Sequence, residues 1–233
     1  MKGARFLNGE KRYYDDAINE FKHSPSACIM LKQAFKELVP QRNGQGKWDG
    51  IWILVIDIIL SIFFAIRISF FMDTLSVFAE IIDKMIDIEI AIFGCVFTVY
   101  TVLLAFFSDD FMKRLAEIKV NQKESYLQGA INYFGSVLFL WFLNISITAF
   151  GYFFTKSFDK SWCLVDDITI NNIMSTGLLF LFFSFSFRVF FELKSTIYSL
   201  IILFRSSIAY RFLEYKKSDM HDIENDMKNS KYN

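Results

Sequence analysis

Four long apolar runs, separated by charged connections, set the pattern of this chain. They lie at about 51–72, 88–107, 130–154 and 173–191, each close to the roughly 20 residues a helix needs to cross a hydrocarbon core. Phe and Ile dominate them, which would suit strands in water. Backbone facing lipid must satisfy its own hydrogen bonds, so segments this long are predicted as helices. The expected fold is an all-α integral membrane protein with four transmembrane helices inside residues 48–204. Beyond the fourth run, Leu193, Ile197, Leu200, Ile201, Phe204, Ile208 and Phe212 recur every three or four residues. That spacing predicts a long cytoplasmic extension of the fourth helix. Its stripe is expected to wrap back on the protein, rest on anionic lipid or pack against a second copy.

The flanks read differently. Residues 1–47 form a cytoplasmic N-terminal segment with two short helices predicted over 13–39. Ser24 and Pro25 supply a cap and a first turn, Leu31, Phe35 and Leu38 share one face, and Pro40 stops the run. This segment is expected to pack under the bundle or lie on lipid, with partner docking as the sharper alternative. "QRNGQGKWDG" reads as a linker into the first span. Residues 205–233 form the C-terminal tail. Its end, "KKSDMHDIENDMKNSKYN", has no apolar period and is expected to be disordered.

Charge placement orients the spans. Of 25 Lys and Arg, 21 fall in the N-terminal segment, in the 108–128 connection or from Arg188 onward. Basic residues favour the cytoplasmic side, so both termini are expected inside and the 73–87 and 155–172 connections outside. Trp48, Trp52 and Trp162 suit the interfaces. The outer 73–89 stretch carries Asp73, Glu80, Asp83, Asp87 and Glu89 against Lys84 alone. Leu75, Phe78, Ile82 and Met85 in the same stretch predict that the helix ends extend outward as a hairpin.

Composition narrows the function classes. Hydrophobic residues make up 54% of 233, with 29 Phe and only two Pro, which is too apolar for an ordinary soluble domain. Lys plus Arg equals Asp plus Glu at 25 each, so there is no basic field and no direct nucleic-acid binding is expected. Cys28, Cys95 and Cys163 are far apart, and His23 and His221 are isolated, so no metal or cofactor constellation is indicated. GxSxG, Walker and HExxH motifs are absent from the sequence. The chain is therefore expected to be non-enzymatic. Ser108-Asp109-Asp110 reads as a helix start.

Charged and polar residues inside the spans are the candidate functional positions. At ~100° per residue, Gly177, Ser184, Arg188, Ser195 and Ser199 share one face of the fourth helix, with Glu192 at its margin and Ser186 opposite. The ordinary meaning is a face buried against other helices; a water-lined pathway is the sharper one. A rise of ~1.5 Å per residue places Arg188 and Asp57 at matching depth near the cytoplasmic side. They form a candidate ion pair, and snorkelling of Arg188 is the alternative. Arg67 and Glu89 make a second candidate pair near the outer surface. Asn144, near the middle of the third span, is expected to make an interhelical hydrogen bond.

In size, four spans, inward termini and lack of a catalytic signature, the chain resembles the four-helix membrane subunit of the bacterial Kiwa anti-phage system. That resemblance implies a homo-oligomer in the bacterial inner membrane that senses phage-induced disturbance and works with a cytosolic partner that itself binds DNA. The leading expectation is thus an oligomeric inner-membrane sensor or scaffold with the lipid bilayer as its surroundings. A small ion channel or membrane-permeabilising effector is the alternative, and a membrane enzyme or transporter without a recognisable motif is the third.

Overall fold

In a computed structural model, the described residues are 27–39, 50–121, 124–158, 162 and 165–230. They form six helices and one very short hairpin. The helices are α1 (Ala27–Glu37), α2 (Ile51–Phe71), α3 (Thr74–Phe106), α4 (Asp109–Glu117), α5 (Tyr126–Ser157) and α6 (Ile168–Ser230). The strands β1 (Lys119–Asn121) and β2 (Glu124–Ser125) pair antiparallel between α4 and α5. Four of the helices, α2, α3, α5 and α6, are long and apolar enough to cross a membrane.

Local chemistry sets the element boundaries. Gly50 precedes α2 with a φ of 78°, a left-handed conformation that a side chain would disfavour. Only Met72 and Asp73 separate α2 from α3, so the stretch expected as an outer hairpin is already helix from Thr74. The Ser108 hydroxyl accepts the Phe111 N–H at 3.3 Å, and Asp109 and Asp110 fill the first turn of α4, where the helix dipole favours acids. Ser125 caps α5 in the same way, through the Gln128 N–H at 3.2 Å. Asp167 accepts the Thr169 and Ile170 N–H groups at 2.8 and 3.0 Å and starts α6.

Two helix pairs organise the bundle, and neither joins neighbours in sequence. α2 packs on α6, and α3 packs on α5. In the first interface Ala65 and Ile68 meet Leu179 and Phe183, and Phe64 lies beside Phe183 and Phe187 at 6.0 and 5.9 Å. In the second, Ile82 faces Gly151, and Tyr100 meets Phe134 at 5.3 Å. A Cβ at Gly151 would sit 2.8 Å from the Ile82 Cδ1, so α3 and α5 approach closely because this position has no side chain. Helix α6 also contacts α5, with Trp141 edge-on to Phe190 at 5.3 Å.

Helix α1 lies against α5. Ala34 and Leu38 join Val137, Leu140, Trp141 and Val189 in one buried cluster, and Phe35 sits 6.1 Å from Phe185. The first predicted helix and the cap pair Ser24 and Pro25 of the second fall outside the described residues, as do Trp48 and Cys163. A third cluster forms where α4 covers part of the α6 extension: Phe111 and Leu115 pack with Leu127, Phe134, Leu200 and Leu203.

The C-terminal reading needs correction. Helix α6 runs 63 residues to Ser230, through the tail expected to be disordered. At ~1.5 Å per residue it is about 95 Å long. The charged sequence there carries no Pro or Gly to stop the helix.

Candidate functional site

The most enclosed polar group lies where α3, α5 and α6 meet. Glu89 of α3 is 0% exposed, as are Asn144, Thr148 and Ser186. Its Oε1 accepts from the Asn144 Nδ2 at 2.7 Å and from the Thr148 hydroxyl at 3.0 Å. Asn144 in turn uses its Oδ1 to accept from the Ser186 hydroxyl at 3.1 Å. Residues 144 and 148 are one helical turn apart, so both project from α5 toward the same point of α3. The second carboxylate oxygen, Oε2, is buried without a hydrogen-bond partner.

A second polar contact lies on the other side of α6. Asp57 of α2 is 2% exposed and accepts from the Ser61 and Ser184 hydroxyls, each at 3.4 Å. Ser184 and Ser186 are two residues apart and therefore point to different neighbours, one to α2 and one to α5. The alternation "FSFSF" is thus a helix with one serine toward each partner.

Arg188 takes a role that spacing alone did not indicate. Its Nε donates to the Leu38 carbonyl at the C-terminal end of α1. Helix C-termini carry unsatisfied carbonyls and partial negative charge, so a guanidinium there satisfies both. The ion pairs within 4 Å among the described residues are Lys84–Asp83, Lys113–Asp110 and Arg114–Glu117. The Asp57–Arg188 pair is therefore not made within one copy. Nor is Arg67–Glu89: Arg67 lies over the Phe71 ring at 5.3 Å, while Glu89 turns to α5. Glu89 lies 15 residues into a 33-residue helix, at the level of Asn144, rather than near an outer edge.

The remaining candidates separate. Glu192 accepts from the Tyr133 hydroxyl at 3.0 Å, linking α6 to α5. Gly177 and Ser195 are exposed, so the small face of α6 does not line one common lumen within a copy. Thr148, Ser186 and Ser61 were not singled out as site residues from the sequence. The signal for Thr148 was present: a polar residue one turn from Asn144 in an otherwise apolar run.

No family model matches this chain, and no curated protein or solved structure matches it either. The site's meaning rests on its own chemistry. Its neighbours are neutral, and the Glu89 carboxyl group of α3 begins a hydrogen-bond chain that passes through Asn144 of α5 to Ser186 of α6.

Proposed function

We propose that this chain is a non-enzymatic, multi-pass membrane protein that assembles with copies of itself and serves as a sensor or scaffold in a bacterial inner membrane. The length and apolar reach of α6 carry this reading. Helix α6 runs 63 residues, whereas one crossing uses about 20, and beyond Arg188 apolar positions still recur at helical spacing among charged ones. Helix α4 covers Leu200 and Leu203, but Ile197, Ile201, Phe204, Ile208 and Phe212 stay 39–69% exposed. They recur at helical spacing along one strip. Identical chains held in one bilayer present identical strips at the same height, which favours a symmetric contact between copies. Of the most apolar part of each long helix, only 11–28% is buried within one copy, leaving ample surface for lipid and for partners.

Phage defence, with a cytosolic DNA-binding partner, enters through the resemblance in size, span number and inward termini. One experiment addresses both levels. Single cysteines at Ile197 or Phe212, on the same strip, in a chain otherwise free of cysteine, are oxidised in native membranes, and plating of phage is measured on the same cells. The reading expects a cross-linked dimer and reduced plating that both disappear when Ile201, Phe204 and Ile208 are replaced by Ser. Monomer alone at every position overturns the self-assembly, and unchanged plating overturns the defence role.

A further inference from the structure

We propose that Glu89, Asn144, Thr148 and Ser186 form a binding site for one compact monovalent cation, a proton or Na⁺, at the junction of α3, α5 and α6. Charge is the first argument. A carboxylate that is 0% exposed, with no basic side chain within 4 Å among the described residues, carries an uncompensated negative charge. Burying an isolated ion is costly enough that such groups acquire a counter-charge or bind a proton. The groups facing it are neutral: Asn144 and Thr148 from α5, and Ser186 through Asn144 from α6. The nearest charged residues along α6, Arg188 and Glu192, are directed to the Leu38 carbonyl and the Tyr133 hydroxyl. On α3 itself, Lys84 pairs with Asp83.

Donor chemistry narrows the class of ligand. At the carboxyl group stand the Thr148 hydroxyl and the Asn144 amide, whose N–H faces Glu89 while its oxygen accepts from Ser186, so the site offers hard oxygen and no imidazole or thiolate, which suits a proton or an alkali cation rather than a transition metal. A divalent ion would leave one net positive charge in apolar surroundings, replacing one imbalance with another. Along α5 the group is flanked by the Ile82–Gly151 approach on one side and by the Trp141–Phe190 ring contact on the other. The free Oε2 is where the charge binds, because Oε1 already accepts twice. Hydroxyl groups can donate or accept by rotating, so Thr148 can turn an oxygen toward Na⁺ or a proton toward the carboxylate.

Infrared spectroscopy of the full chain in lipid nanodiscs tests this, comparing wild type with Glu89→Gln. In sodium- and potassium-free buffer near neutral pH, the difference spectrum is expected to show a carboxylic-acid carbonyl band assigned to Glu89. If the resident cation is Na⁺, adding NaCl replaces that band with carboxylate stretches; if it is a proton, the band persists. Carboxylate stretches from Glu89 in the cation-free buffer would mean a bare charge and would overturn the proposal. Glu89→Gln mimics the neutralised site, so it is expected to keep the wild-type helix content and assembly. Loss of folding in that variant would equally overturn it, because the negative charge itself would then be required. Neither outcome depends on self-association or on phage defence.

Discussion

Replacing Arg188 with Ala tests what holds α1 against the bundle. The guanidinium satisfies the Leu38 carbonyl, and Leu38 itself is only 8% exposed. A hydrogen bond involving a charged group contributes about 1.5–3 kcal/mol, and losing one partner leaves a buried acceptor unsatisfied. At ~1.4 kcal/mol per factor of ten, detachment of α1 should become roughly 10- to 100-fold more frequent. Hydrogen exchange in nanodiscs reads this directly: amides of 27–39 should lose protection by that factor while amides of α5 around Leu140 hold theirs. Cys28, exposed on the same helix, gives a parallel readout through faster thiol labelling. Arg188→Lys should recover only part of the effect, since an ammonium cannot reproduce the guanidinium geometry. The decisive control is Asp57→Asn. If its effect on α1 protection couples to Arg188→Ala by more than about 1 kcal/mol in a double-mutant cycle, the two charges form a working pair and the capping account fails.

Other expectations follow from single contacts. Gly151→Ala should lower the melting temperature, because overpacking at the Ile82 contact costs about 1–3 kcal/mol against the roughly 1 kcal/mol of helix propensity gained; adding Ile82→Val, which removes the opposing Cδ1, should restore part of the loss. Ser108→Ala removes the cap of α4 and should cost about 1 kcal/mol, seen as faster exchange across 109–117 with little change in α2. For topology, an impermeant maleimide applied to intact spheroplasts should modify Cys163 and spare Cys28; the reverse pattern would contradict the orientation drawn from the basic residues.

The number of long apolar helices was legible in the sequence because crossing a bilayer imposes a length and a composition that no distant residue can alter. Caps were legible for the same local reason: Ser108, Asp109 and Asp110 act on N–H groups within their own turn. The short hairpin between α4 and α5 left no such trace, since three- and two-residue strands are too brief to show a period. What the sequence could not decide was which polar residues meet. Depth along a helix is a one-dimensional quantity, and it placed Asp57 beside Arg188. Pairing also depends on helix rotation and on which helices are neighbours. Because α2 packs on α6 and α3 on α5, Asp57 meets Ser61 and Ser184, while Glu89 meets Asn144 and Thr148. Arg188 was claimed by α1, a segment outside the four apolar runs, whose C-terminal carbonyl at Leu38 is an acceptor that depth alone could not reveal. The sequence by itself determined how many long apolar helices this protein has; the tertiary structure alone decided how far α6 continues, which charges are capped, which are shared and which one has no countercharge among the described residues.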